Sequence, residues 1–568
     1  MLKKLSYFIY AAALMLVCSC SSKMQPMLAE HFTVTPKVLE VVGSEIPVTI
    51  DGRFPKEFFN KKAVLTIIPV LRYEGGEATA EPVTFQGEKV QGNNRVISYQ
   101  RGGNFTIKMT FDYVPAMEKS ALYLKFMVSK GNKSYVLPDV KVADGCISTS
   151  QLYKTTVSSA NTAVGEDAFQ RVIKQAQQAN IMFLIQQTNL RSSELNTQQM
   201  TALEDSMKAV AEDVERKVLD NVEVAAYASP DGGMLLNVDV ANGREENTLK
   251  FVKKQMDNAK LEGYLDSDYT AEDWEGFQEL VSKSDLPDKD LILRVLSMYN
   301  EPEEREAQIK NISSVYSDLA DEILPLLRRA RITLNYQLIG RSDDEIMAQF
   351  AEDPSKLSLE EILYASIVSE DVAEQEKIFK TTIRLHPNDY RAYNNLGVLA
   401  YKRGDYNTAA EYFAKAASLT PSAPEVNVNL GYMSLLDGNV VDAETYMAKG
   451  LSSKVGEEAL GNLYIAQGQY ARATEMFGDK ATNSAVLAQL LNKDYSTAKT
   501  TLEAIKTPDA YTHYLKAILG ARTQNAALLY EGLKEAVKMD ASLAEKAAVD
   551  LEFAKYANNE SFRSILNK

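Results

Sequence analysis

Tyr393-x-x-Leu396-Gly397, followed by Ala409-x-x-x-Phe413, Ala416 and Pro421, is the stretch that decides the fold. Leu396-Gly397 returns as Leu430-Gly431, 34 residues on, and at the same step Ala409 returns as Ala443 and Phe413 as Met447. One step earlier, Phe379 and Pro387 stand where Phe413 and Pro421 stand. One step later, Leu460-Gly461, Ala473 and Phe477 return after 30 residues, a shortened copy. Weaker copies follow near Ala498 and Leu502 and between Ala517 and Ala536. A fixed period of this length marks a stack of small helical units. Packing is the reason. Glycine and alanine let two helices approach closely, and a large side chain fills the groove between them. Each unit leaves an apolar face that its neighbour covers, so the units add up to a solenoid. Residues from about 356 to 568 therefore read as an all-α array. The repeated residues are core positions, and they specify fold rather than chemistry.

The block resembles the tetratricopeptide pattern W-x2-L-G…A-x3-F…P. Ala400 departs from it, where that family often has Tyr. The resemblance implies a curved array whose concave face presents a protein-binding surface, here for one or more unidentified envelope proteins.

Toward the N-terminus the period changes from helix to strand. Phe105, Ile107, Met109 and Phe111 alternate with Thr106, Lys108 and Thr110, and Leu122, Leu124, Phe126 and Val128 alternate likewise. Such alternation buries one face and wets the other. Gly75-Gly76, Gly92-Asn93-Asn94, Gly102-Gly103 and Gly131-Asn132 punctuate the stretch as turns. Residues 28–145 are thus expected to form an all-β sandwich, with an immunoglobulin-like arrangement among the options. A polar linker follows from Gly145 to near Gly165.

Residues 166–340 are mixed. The expected elements are a helix over 169–179, a buried strand over 181–185, an amphipathic helix over 203–218 and a strand over 222–227. A loop, Ala228-Ser229-Pro230-Asp231-Gly232-Gly233, comes next. Asn237, Val240 and Arg244 then recur on one helical face. Here the chain resembles the OmpA C-terminal domain family, an α/β fold that grips peptidoglycan. That family has G-Y-T-D-x-x-G-S, then N-x-x-L-S-x-x-R-A; Tyr227 to Gly233, Asn237, Val240 and Arg244 match its spacing. Its closing R-R-V-E-I resembles Arg328-Arg329-Ala330-Arg331-Ile332. The resemblance covers about 170 residues with a helical insertion over about 258–325, which carries Glu272, Asp273 and Trp274. It implies peptidoglycan contact through Arg244, Asn237, Ser229 and Asp231. The family's Asp falls at Ser229, and a hydroxyl supplies no charge for an ammonium. Arg244 would clamp a carboxylate.

The N-terminus fixes the compartment. Met1-Leu2-Lys3-Lys4 precedes an apolar run over 5–17, which is an export signal and too short to span a bilayer. Val17, Ser19 and Cys20 resemble a bacterial lipobox, so residues 1–19 are expected to be removed and Cys20 lipidated. The chain has 62 basic and 77 acidic residues, a net charge of −15, and loss of Lys3 and Lys4 takes it to −17. Such a balance repels phosphate backbones, which excludes nucleic acid as a partner class. Beyond Cys20 only Cys146 would remain, so no disulfide framework is expected. His31, His386 and His513 lie far apart, so no metal site and no cofactor are expected.

These observations converge on a non-catalytic scaffold lipoprotein. It would sit on the outer membrane by its lipid anchor and face the periplasm, because no acidic run follows Cys20. A surface adhesin or appendage-assembly factor is the alternative. A cell-wall glycan enzyme is a weaker one: Glu272 and Asp273 form a carboxylate pair, but there is no G-x-S-x-G and no H-E-x-x-H.

Overall fold

The structure, a computed structural model, describes residues 24–286, 288–299, 301–311 and 313–567. The expected signal at 1–19 and Cys20 lie outside them. The described chain forms two compact units. One joins the residues up to Glu166 to those from Asp371 onward; the other is Asp167–Glu370.

The first unit opens with ten strands: β1 (Phe32–Thr35), β2 (Val38–Glu40), β3 (Glu45–Phe54), β4 (Val64–Tyr73), β5 (Gly76–Thr79), β6 (Val83–Gly87), β7 (Arg95–Ile97), β8 (Gly103–Asp112), β9 (Ser120–Lys130) and β10 (Lys133–Ile147). They make a three-stranded sheet, β1-β3-β8, and a seven-stranded sheet, β2-β10-β9-β4-β6-β7, with β5 on β4. The two sheets share one core. In β8, Phe105, Ile107 and Phe111 point inward while Thr106, Lys108 and Thr110 face solvent. Phe54, Phe85 and Phe105 pack with ring centroids 4.8–5.2 Å apart. Gly52 makes room for that cluster, since a Cβ there would lie 2.1 Å from the Phe105 ring.

The C-terminal part is a series of helix pairs: Tyr390–Lys402 with Tyr406–Leu419, Pro424–Asp437 with Val440–Lys449, Gly456–Ala466 with Tyr470–Phe477, Asn483–Leu491 with Tyr495–Ala504, and Ala510–Arg522 with Ala526–Met539. Val372–Leu385 precedes them. Every pair turns through one residue at positive φ: Gly404 (77°), Gly438 (81°), Gly468 (74°), Lys493 (64°) and Gln524 (57°). The next residue usually caps the second helix. Asp405, Asn439, Asp494 and Asn525 each accept a backbone N–H three residues on, which satisfies a donor that the helix leaves open.

Residues 149–166 depart from the expectation of a polar linker. Thr149–Leu152 makes a turn of 3-10 helix, Tyr153–Ser158 a short helix, and the rest has no regular secondary structure. Leu152, Tyr153, Val157 and Ala163 are buried in the same core as the helical repeats. Serine and threonine made the stretch look solvated, but Leu152, Tyr153, Val157, Ala160 and Ala163 are spaced among them and find the repeats. The β region also docks on the array. Arg522 donates to Glu552, to the Leu490 carbonyl and to Glu40 of β2, and Gln151 donates to the Gly43 carbonyl.

The second unit is built on four strands: β11 (Val172–Met182), β12 (Lys217–Tyr227), β13 (Leu265–Thr270) and β14 (Arg329–Ile339). Their order is β11-β14-β12-β13, antiparallel except for the parallel pair β12/β13. Helices Gln198–Glu212 and Met234–Ala259 cover the sheet. Two expectations are corrected here. Residues 172–179 are strand, not helix: eleven consecutive pairings with β14 outweigh the helix-forming glutamines and alanines. The amphipathic helix ends at Glu212, so Val214 is exposed and Val218 already lies in β12. After β13, a run of short helices from Trp274 to Leu327 gathers a separate core around Phe277, Ile292, Leu319 and Leu327. Among the described residues no helix is long and apolar enough to cross a membrane.

Candidate functional site

In the second unit, β12 delivers the chain to the loop after Tyr227, and the helix Met234–Ala259 carries Asn237, Val240 and Arg244 on its buried side. Ser229, Asp231, Asn237 and Arg244 line one shallow pocket, with Ile185 and Leu236 at its rim. The structure thus brings these four residues together, and their partners define their chemistry. Arg244 is 1% exposed. It donates to the carbonyls of Gln187 (3.0 Å), Tyr227 (2.7 Å) and Leu184 (3.2 Å), and stacks on Phe183. Burial, helped by the nearby Arg328 charge, pulls its pKa down to about 10. Ser229 donates to Asp231. Asp231 is paired with Arg328 at 3.0 Å, so the loop's carboxylate already has its cation. Asn237 closes the loop by donating to the Gly232 carbonyl at 2.8 Å.

Glu272 and Asp273 have structural partners as well. Glu272 accepts the Trp274 indole N–H at 3.0 Å. Asp273 caps the helix Trp274–Lys283 and pairs with Arg329 at 2.8 Å. Trp274 packs edge-on to Phe277 against the helical core. Among the described residues no group of three or more His, Cys, Asp or Glu is placed to hold a metal ion.

A buried polar constellation lies elsewhere, on the first helices of the repeats. Asn429 accepts the Ala163 N–H at 2.9 Å and donates to the Ala163 carbonyl at 2.8 Å. Asn395 treats Gly165 in the same way, at 2.8 and 2.9 Å. Asn394 adds a donor to the Ala163 carbonyl at 2.9 Å and accepts from Asn429 at 2.9 Å. Three side-chain amides thus read the main chain of residues i and i+2 in an extended segment. Asn394 and Asn429 are 0% exposed and Asn395 4%, and a buried amide without partners would be costly. Tyr401 donates to the Val157 carbonyl at 2.5 Å, and Asn161 reaches the Glu458 carboxylate at 3.2–3.3 Å. Lys454 pairs with Glu166. The repeat surface that the sequence assigned to a partner is therefore filled, at its first repeats, by the chain itself. Beyond Asn161 the groove stays open as a cavity of about 250 Å³ whose lining includes Glu458, Ser484 and Asp509. Sequence reading missed the clamp. Its signal was a set of asparagines beside the Leu-Gly pairs, at positions buried with the apolar residues of their helices.

Comparison with known proteins agrees with the helical part. The tetratricopeptide repeat model matches residues 371–424 and 400–453. A TPR repeat-containing protein of Pseudomonas aeruginosa is 29% identical over 120 residues, 21% of this chain and 20% of that protein; the match thus spans about a fifth of that relative. Among solved structures, a tetratricopeptide repeat protein from Parabacteroides merdae has a TM-score of 0.29 at 14% identity, over 40% of this chain and 90% of that one. PilW, described as a type IV pilus biogenesis factor, has a TM-score of 0.26 at 15% identity, over 39% and 96% of the two chains. The pilF protein of Pseudomonas aeruginosa has a TM-score of 0.26 at 12% identity, over 40% and 99%. The chain is a tetratricopeptide repeat-containing protein with a β-rich region ahead of its repeats.

Proposed function

We propose that the chain is a non-catalytic scaffold of a bacterial cell envelope, held to the outer membrane through a lipidated Cys20 and facing the periplasm. Its tetratricopeptide array holds envelope proteins. The observation that carries this reading is the clamp of Asn394, Asn395 and Asn429. It is a binding surface that handles a polypeptide main chain and has no reactive group in it. The test is capture from detergent-solubilised envelope with the full chain as bait, compared with a variant carrying Asn394→Ala and Asn429→Ala. Partners retained equally by both would sink the role of this surface. Lipidation is tested by Cys20→Ala, which should abolish labelling with an alkyne fatty acid and release the protein from the membrane.

In this reading the second unit is OmpA-like and leans on the cell wall. Its support is the order strand, loop, helix, with Asn237 and Arg244 on the helix and Arg328 to Ile332 leading into the last strand. A peptide stem entering this pocket would meet an Asp231 already paired with Arg328 and an Arg244 committed to three carbonyls. Wall contact would therefore be weak. Co-sedimentation with purified sacculi checks it: Ser229→Asp should strengthen retention, and Arg244→Ala should lose it together with local stability.

A further inference from the structure

The segment that fills the groove is not uniform. Residues 149–158 bury Leu152, Tyr153 and Val157 in the repeat core. Residues 159–166 put only two small apolar side chains on that core, Ala163 buried and Ala160 half-buried, and are otherwise held by polar bonds. Ser159, Asn161, Val164 and Glu166 face solvent. Its hold is polar, through buried asparagines, and it lacks the large apolar anchors of residues 149–158, so it opens at lower cost than that neighbouring stretch. The clamp touches main-chain atoms at Ala163 and Gly165 and makes no demand on the Val164 side chain. It does constrain size. A Cβ at Gly165 would lie 2.9–3.1 Å from Arg391, and Ala163 is 3% exposed.

We propose that residues 159–166 are a cis-acting latch on a main-chain-reading peptide site, and that the site's partner in trans is an extended polypeptide segment with a small residue followed, two positions on, by a glycine. The latch shows what the site accepts because it occupies it. Residues 149–158 stay as a fixed floor. Tethering keeps the latch at an effective concentration on the order of millimolar, so a free peptide at micromolar levels competes poorly until the latch is out. Loss of the ion pair Glu166–Lys454 and of the Arg391 bond to the Glu166 carbonyl would start the release from the far end. The idea rests on the repeats being partner-binding, but the latch measurements need no partner and so fail separately from that reading.

The test uses the full chain and a fluorescent peptide with the sequence of residues 157–167. In the wild type, amide hydrogen exchange over 161–166 should be faster than over helices 390–402 and 424–437, and the peptide should bind weakly. Gly165→Val should expel the latch against Arg391 and raise peptide affinity by at least about tenfold. Adding Asn395→Ala and Asn429→Ala to that variant should abolish the gain. Should Gly165→Val fail to fold by circular dichroism, a protease site inserted after Glu166 and cut in the folded protein gives the same readout. Exchange over 161–166 as slow as in the helices overturns the latch. A freed groove that gains no peptide affinity, or keeps it without the asparagines, overturns the site.

Discussion

The Cβ that Gly397 lacks would lie 2.6 Å from the ring of Phe413. The same relationship joins Gly431 to Met447, at 2.6 Å, and Gly461 to Phe477, at 2.8 Å. In each of these repeats the first helix gives up a side chain so that the second can seat a large one flat against its backbone.

Gly397→Ala should therefore destabilise the array by about 1–3 kcal/mol, the usual result of overpacking, read as a lower urea midpoint. Adding Phe413→Leu should recover part of the loss. Equal midpoints for wild type and Gly397→Ala would show that the ring moves aside freely.

Lys493 and Gln524 hold the turn conformation that glycine holds in the first three repeats. A left-handed conformation costs an L-residue roughly 1–2 kcal/mol, part of which glycine gives back as chain entropy. Lys493→Gly should thus raise stability by a few tenths to about 1 kcal/mol, while Gly404→Ala should lower it by a similar amount. Thermal melts of both variants check the opposite signs.

Arg522 is almost fully buried among Glu552, Glu40 and the Leu490 carbonyl. Removing one member of a buried ion cluster leaves uncompensated charge and costs about 3–5 kcal/mol. Arg522→Ala should loosen the β region from the repeats, seen as earlier proteolysis between residues 145 and 170. A variant as resistant as wild type would place the attachment in the apolar contacts alone.

Burial, with the Glu118 charge nearby, pushes the Cys146 thiol up to about 12, and the thiol donates to the Met117 carbonyl. The native state holds this proton more tightly than the unfolded chain, whose thiol titrates near 9. The contribution to stability is therefore complete below pH 9 and falls away as pH rises toward 12. In residues 21–568, a thiol reagent at pH 8 should label only after unfolding. Prompt labelling of the folded protein would contradict the burial.

The glycine pairs explain what was legible in the sequence. Gly397, Gly431 and Gly461 stand at fixed steps because backbone contact permits nothing larger, and such positions repeat visibly. Lys493 and Gln524 do the same turn without glycine, so the last repeats read as faint copies. β11 was misread because its composition favours helix locally, while its pairing with β14 comes from residues more than 140 positions away. The pocket residues Ser229, Asp231, Asn237 and Arg244 could be gathered from spacing along one loop and one helix. Their partners could not, since Arg328 and the carbonyls of Leu184 and Gln187 arrive from other elements. The asparagine clamp failed to register for the same reason, since half of it is a main chain 230–266 residues upstream.

That separation sets an order of assembly. Solenoids ordinarily gain stability from neighbours in sequence and fold quickly as a result. Here the floor of the groove is synthesised before an entire second unit, and more than two hundred residues before the helices that cover it. Leu152, Tyr153 and Val157 must wait uncovered until those helices emerge, a long interval at ordinary rates of translation. The first unit thus combines local pairing within its repeats with one closure of very high contact order. Its slowest step should be that closure, which makes the nascent chain, more than the finished one, the form in need of protection from aggregation.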